Sequence, residues 1–434
     1  ATLFFISIFG IVVKQHEAVF ETAELAFSCA AFFGCCWALT RPYWGSALAG
    51  FACGASILCS NLLVGATVLV GCLMSHILVR GIGDTSRKIF TTIAVAFVTF
   101  GLWPLVSYLL AGVVAGDYFN LWAQRQIQIV GFFDPQEILW FIKHFIWYLC
   151  PVWPFAFWAI WMWRKNLTVT HIALPLSFCF AWFVGFMLSS DVAAETLLSV
   201  TIAPLCVLAT FGLMACNRST KSMLELFSVA VFTLALAGVW AYFIAWTLGF
   251  PPKMHWSILR LTADESVSHA HWVAVVLAAA LLAFWLYLCV RRLMRRPIRF
   301  WTGPWLSASG ITVLWISAVC LFGPVIDSNR TFANIAREMT QELKTMHFVS
   351  GTDCVLAQTL PVSERAAIEW HSGVTLTASE AASCRFIISH VSAKRQAKNP
   401  TKAPGFVVLK SFRPRSDTRY LLGPAGPVLI EKQF

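Results

Sequence analysis

"WGSALAGFACGASILCSNLLVGATVLVGCLMSHILV", residues 44–79, is an apolar run of 36 residues without a single charge. One helix crosses the hydrocarbon core of a bilayer in about 20 residues. The run is too long for one span, and its middle, "CSNLLVG", is expected to break it into two. That break decides how the rest of the chain is threaded.

Apolar segments also occupy residues 1–13, 18–39, 89–113, 139–163, 170–189, 194–215, 222–249, 269–290 and 301–325. With 44–79 counted twice, the chain makes about eleven crossings. Charge tests the count, because loops on the cytoplasmic side of a membrane are enriched in Lys and Arg. Strict alternation puts thirteen basic residues on one side: Arg41, Arg80, Arg87, Lys88, Arg164, Lys165, Arg218, Lys221, Arg291, Arg292, Arg295, Arg296 and Arg299. The opposite short loops hold four, Lys14, Arg125, Lys253 and Arg260. Reading 44–79 as one span scrambles this asymmetry. The two-helix reading places residues 326–434 on the outer side.

Composition agrees. The chain is 58% hydrophobic and 12% charged, about half the charge of a soluble domain. The net charge of +11 is topology signal plus a basic tail, so no nucleic acid is implied. Twelve of the 14 cysteines lie between residues 29 and 320, where thiols act as small hydrophobes. "ATLFFISIFGIVV" reads as a helix already under way, so a native N-terminus upstream of Ala1 is expected.

Residues 326–434 change character. "SNRTFANIAREMTQELKTM" has helical spacing, and "CVLAQTL", "CRFIISH" and "GFVVLKSF" read as short strands. The region is expected to form a small α/β domain, and 1–325 a helical membrane domain. "AKRQAKNPTKAPG" is a solvated loop or a contact for anionic lipid headgroups. Cys354 and Cys384 each open a strand-like run 30 positions apart, either as a disulfide or as two buried thiols.

Phosphate-loop, dinucleotide and zinc-protease patterns are absent. The chemistry-bearing residues cluster near the outer face. In "KQHEAVFETAELAF", Glu17, Glu21 and Glu24 recur at helical spacing and share one face. Near lipid each ionised carboxylate costs a few kcal/mol, so this face is expected to meet protein, water or a cation. With His16 adjacent, a divalent metal is conceivable; pairing with upstream basic groups is the alternative. Arg125 is the one basic residue of the outer loop before the next span. Lys143 and His144 fall within the first turns of the helix that returns inward. Lys143 either snorkels to headgroups or binds a lipid-linked phosphate. Asp191 and Glu195 read as helix caps, and His255, His269 and His271 as interfacial residues.

With these motifs in place, the layout resembles the GT-C membrane glycosyltransferases, especially bacterial relatives of protein O-mannosyltransferases and of the lipid A aminoarabinose transferase. The resemblance runs through "HEAVFETAELAF", "RPYWGSALAGFACGASILCSNLLVGA", "YFNLWAQRQIQIVGF", "FIKHFIWYLCPVWPFAFWAIWMWRK" and "SSDVAAETLLSVTIAPLCVLATFGL", and covers nearly all of the chain. It implies a mainly α fold of about thirteen spans, two of them upstream of Ala1, with a small periplasmic α/β domain. It also implies transfer of a sugar from a polyprenyl-phosphate donor to a lipid or protein acceptor at the periplasmic face of the bacterial inner membrane. The acidic catalytic residue of the family lies in an outer loop that would precede Ala1. Departures are visible: Asn61 stands where the family has Lys, Gln126 and Ile129 align with its His and Arg, and Ala194 lies near its Arg. Lys143 matches.

On this reading Lys143 and Arg125 bind the donor phosphate. Glu21 and Glu24 order the acceptor, a metal or the catalytic loop, and His16 and Glu17 are further acceptor or metal candidates. Two other classes fit parts of the pattern. A secondary transporter would carry charges near the midplane in related halves, whereas these charges gather at one face. A non-catalytic assembly protein would tolerate the departures.

Overall fold

The structure is a computed structural model of the chain. It describes residues 1–14, 20–79, 81–112, 119–120, 122–124, 126–127, 129–131, 138–189, 196–259, 270–295, 300–349, 353–357, 359–377, 384–392, 410–415 and 418–424. The first apolar segment forms two short helices, α1 (Thr2–Ile6) and α2 (Phe9–Lys14), parted at Ser7, whose hydroxyl turns back to donate to Phe4 O. There follow α3 (Phe20–Trp37), α4 (Pro42–Cys59), α5 (Leu62–Leu78) and α6 (Thr85–Ala111). Then come α7 (Ile138–Tyr148), α8 (Val152–Met162), α9 (Thr170–Met187) and α10 (Leu198–Ala215). The last long helices are α11 (Arg218–Leu248), α13 (Trp272–Arg295) and α14 (Thr302–Arg330), with the short α12 (Pro252–Leu259) after α11.

The long run breaks where the sequence places it. α4 stops at Cys59 and α5 starts at Leu62. A new helix exposes N–H groups that have no partner inside it. Here Asn61 Oδ1 accepts from Val64 N at 2.9 Å, and Gln126 Oε1 accepts from Leu62 N at 2.8 Å. Among the described residues, six helices are long and apolar enough to span a bilayer, or up to seven if one bent pair counts as a span. Helices α3, α4 and α5, of 18, 18 and 17 residues, are each about 26 Å long at the helical rise. The charge pattern, not helix length, carries the count of eleven.

One expectation needs correction. Residues 139–163 do not form a single straight span: the α7 and α8 arms meet at 95°. Pro151 and Pro154 supply no backbone N–H to continue the helix, so α7 runs in its own direction before the chain turns into α8. Lys143 and His144 therefore belong to the arm before the bend.

The chain divides into two compact units. One comprises Ala1–Thr233 with Trp285–Trp315, the other Leu234–Phe284 with Ile316–Phe434. In the first, helices meet through small residues, as expected where lipid removes the hydrophobic drive for helix association. A Cβ on Gly45 of α4 would stand 2.2 Å from Ala38 N, just past the end of α3, and one on Gly212 of α10 would stand 1.9 Å from Phe155 O of α8. Glu225 of α11, buried, accepts from Nε and Nη2 of Arg292 on α13, the Nε contact being 2.7 Å. Arg292 thus joins a buried pair in addition to contributing to the basic asymmetry of the loops.

In the second unit Phe243, Trp246, Ile258, Leu321 and Val325 form one apolar cluster. The C-terminal stretch builds another. Helix α15 (Ala333–Thr345) presents Ile335, Ala336, Met339 and Leu343 to a sheet, and α16 (Val362–Ser372) adds Ile368. The strands are β1 (Val355–Leu356), β2 (Leu376–Thr377), β3 (Phe386–Ser392), β4 (Lys410–Arg415) and β5 (Thr418–Pro424). Their order is β2-β1-β3-β5-β4, parallel around β1 and antiparallel from β3 to β4. A disulfide joins Cys354 to Cys384, the residues just before the neighbouring strands β1 and β3.

Two outcomes follow. Glu225→Ala strands the Arg292 guanidinium and is expected to cost about 3–5 kcal/mol, while the double change Glu225→Leu/Arg292→Leu recovers much of that. Thermal unfolding of the detergent-solubilised protein measures both. Cys384→Ser releases a closed loop whose chain-entropy value is about 3–4 kcal/mol, read as faster proteolysis of the 354–424 region at unchanged membrane insertion.

Candidate functional site

One end of the first unit collects polar helix termini. Helix α3 starts there with Glu21 in its first turn, α4 ends at Cys59, α5 begins behind its Asn61 cap, and α9 closes toward Ser189 as α10 begins. Gln126, Val130 and Gly131 are tied to these ends by backbone and side chain. Besides the Gln126 bond to Leu62, Gly131 N donates to Leu188 O at 3.1 Å, and Val130 pairs with Ser189 in an antiparallel bridge. The α7 arm packs on the same end. The Phe141 ring lies 3.9 Å from that of Phe186 and 5.8 Å from that of Trp182, and Phe145 lies 5.7 Å from Trp182. Helical spacing of 141 and 145 puts both rings on the face that meets α9.

The two acidic residues of α3 have different surroundings. Glu24 is 0% exposed, and the Ser199 hydroxyl on the first turn of α10 donates to its Oε1. Ser199 Oγ also lies 2.8 Å from Thr196 O, so one hydroxyl hydrogen faces two acceptors. A carboxyl out of water is expensive unless hydrogen-bonded, and Ser199 is one group that makes Glu24 tolerable where α3 meets α10. Glu21, one turn closer to the helix start, is half-buried, and its Oε2 has no hydrogen-bond partner among the described residues. The shared face expected from spacing is therefore graded, with one carboxylate sealed into packing and one at its edge.

Lys143 is exposed on α7, and no hydrogen bond or ion pair reaches it from the described residues; His144 is half-buried. No ion pair links Lys143 to Glu21 or Glu24 among the described residues. Arg125, His16, Glu17, Asp191 and Glu195 lie outside the described residues, as does His269. No group of three or more His, Cys, Asp or Glu among the described residues is arranged to hold a metal ion. The carboxylate pair on α3 has no described third ligand, so no chemical step is routed through a metal.

Three contributors escape the sequence reading. Ser199 is one of several small polar residues in an apolar span, and spacing gives no hint that it faces Glu24. Gln126 is visible only as a departure from a family residue. Trp182 is buried, and its indole Nε1 has no hydrogen-bond partner among the described residues.

No protein-family model and no curated protein matches the chain. Solved structures do. ArnT from Cupriavidus metallidurans bound to undecaprenyl phosphate is similar at a TM-score of 0.55 and 15% identity, over 97% of this chain and 77% of that one. ArnT from the same organism in the apo state is similar at a TM-score of 0.45 and 15% identity, over 93% and 83%. The first likeness shows a shared fold.

Ser199→Ala takes a donor from the buried Glu24 carboxyl. It is expected to destabilise the solubilised protein by about 1–3 kcal/mol, while the double change Ser199→Ala/Glu24→Leu costs less than the single one. Equal unfolding temperatures for Ser199→Ala and the parent protein would show that the contact carries no weight.

Proposed function

We propose that the chain is the membrane body of a polyprenyl-phosphate-dependent glycosyltransferase, acting at the periplasmic face of the bacterial inner membrane. The observation that carries this reading is the fold shared over 97% of the chain with ArnT bound to undecaprenyl phosphate. The polar end of the first unit supports it, because buried and half-buried carboxylates are gathered there beside an interfacial aromatic arm. In this reading residues 1–325 form the membrane domain and 326–434 the periplasmic domain, and the acceptor is a lipid or a protein.

The chemistry suits these residues. A lipid-linked donor needs no nucleotide pocket. Lys143, exposed and without a described partner, offers a cation to the donor phosphate, and Arg125 offers a second. In the transfer, an acceptor hydroxyl gives its proton to a base, its oxygen bonds to the anomeric carbon, and the bond from that carbon to the phosphate oxygen breaks. Polyprenyl phosphate leaves. A carboxylate within hydrogen-bond reach of the hydroxyl is the usual base for such a step. Glu21, half-buried and with an oxygen that lacks a hydrogen-bond partner among the described residues, meets the acceptor or the group that activates it. Glu24 positions α3 against α10 through Ser199.

The test uses a polyprenyl-phosphate sugar donor and the full-length protein in proteoliposomes. Lys143→Ala is expected to lower transfer by about tenfold or more, chiefly as a raised KM for donor, which is the scale of one charge-assisted contact. Glu21→Gln is expected to lower kcat. Transfer unaffected by either change sinks the assignment. Uptake of a free solute at rates above empty liposomes, with no transfer, points to a transporter.

A further inference from the structure

The other end of the first unit holds a lysine that neither the fold nor the proposed reaction uses. Lys88, one turn into α6, is 2% exposed, and no hydrogen-bond acceptor or carboxylate among the described residues reaches its ammonium. A buried ammonium without a partner is costly, and such groups inside membrane proteins mark places where an ion or ligand belongs.

Its surroundings favour an anion. A Cβ built on Gly83 would stand 2.9 Å from Pro42 Cβ and 3.9 Å from Lys88 Cε. The end of the lysine and the first residue of α4 therefore both border Gly83. That terminus is uncapped: Arg41, at its N-cap, makes no side-chain capping bond, and Pro42 occupies the first helical position. Pro42 has no N–H to offer, so the N–H groups of Tyr43 and Trp44 remain to be satisfied, and none of the described residues accepts from them. Uncapped N–H groups with the positive end of the helix dipole make a ready anion site. Arg41 is exposed beside it, and Arg87, also exposed, is engaged by Tyr43 and by Asp84 at 3.9 Å. The one described acid nearby, Asp84, accepts from Ser86 Oγ at 2.7 Å and Ser86 N at 3.3 Å and lies 3.9 Å from Arg87 Nε; the Ser86 hydroxyl first, and the Arg87 and Lys88 charges after it, hold its carboxyl below the usual range. Asp84 caps α6 and does not reach Lys88 within ion-pair distance. Tyr43, Trp44 at 71% exposure, and Phe90 are large exposed rings on the same two helix starts, as expected where chains and headgroups meet.

We infer that Lys88, the α4 N-terminus and Arg41 form a phosphate-binding site at the 41–44/82–88 end of the first unit, taking the headgroup phosphate of an anionic phospholipid or a free phosphate. Basic pockets between spans on the side rich in Lys and Arg are where such headgroups bind. The site is remote in sequence from Glu21, Glu24 and Lys143, and stands whether or not the chain transfers sugar.

The experiment follows the unfolding temperature of the full chain in a neutral detergent as ligand is added. The probes are short-chain phosphatidylglycerol, short-chain phosphatidylcholine and inorganic phosphate, each against the parent protein, Lys88→Gln and Arg41→Gln. Phosphatidylglycerol is expected to raise the parent's unfolding temperature, with the half-maximal concentration rising about tenfold or more in Lys88→Gln, the scale of one charged hydrogen bond. Arg41→Gln, at an exposed position that does not threaten folding, is expected to shift it in the same direction by less. A response to inorganic phosphate alone assigns the site to free phosphate, and a response to phosphatidylglycerol alone assigns it to lipid. The inference is overturned by an equal response to phosphatidylcholine, or by a phosphate or phosphatidylglycerol response that Lys88→Gln and Arg41→Gln leave unchanged. It is equally overturned if no phosphate-bearing probe moves the parent protein.

Discussion

Every polar backbone group that enters hydrocarbon has to be satisfied within the protein, and that constraint acts hardest between Cys59 and Leu62. A 36-residue apolar run cannot continue as one helix across a bilayer, so it turns, and the turn frees N–H groups that lipid cannot accept from. Asn61 takes one of them and Gln126 another. The second partner comes from a segment 64 residues away. The helix break and the docking of Gln126 therefore share one hydrogen bond. With Gln126 at the α4–α5 turn, Gly131 meets Leu188 and Val130 meets Ser189 at the end of α9.

Small residues set how closely the rest can follow. Gly45 against Ala38 and Gly212 against Phe155 leave no room for a side chain, and between helices in lipid such contacts replace hydrophobic burial as the source of cohesion. The Gly45 contact sets the α3–α4 approach at the end of the unit opposite Glu24, whose depth is set where α3 meets Ser199 of α10.

Sequence patterning read the broad fold well and the site in part, for physical reasons. Apolar length and loop charge respond to the bilayer itself, so the break in 44–79 was legible, and spacing placed Glu21 and Glu24 on one face. Spacing names a face but not what lies opposite. The Ser199 contact spans 175 residues and the Glu225–Arg292 pair 67, and no local pattern announces either. The bend between α7 and α8 was written in Pro151 and Pro154, yet an aromatic-rich run of spanning length masked it. The C-terminal strands that open at Cys354 and Cys384 were visible as β-branched runs, whereas the two-residue β2 pairs only because β1 lies beside it.

The two polar ends of the first unit handle buried charge by opposite means. At the α3 end a carboxylate is sealed inside packing and receives a hydroxyl from a neighbouring helix. At the α4 start a lysine is buried to the same degree, with a helix terminus beside it that is also short of a partner. A group already hydrogen-bonded by the fold contributes rigidity and keeps its geometry when ligands come and go. On the inferred anion site, a cation and an uncapped helix terminus gain together when an anion binds. The first arrangement suits a wall against which other groups are positioned, and the second suits a place where the surrounding membrane or solution completes the structure.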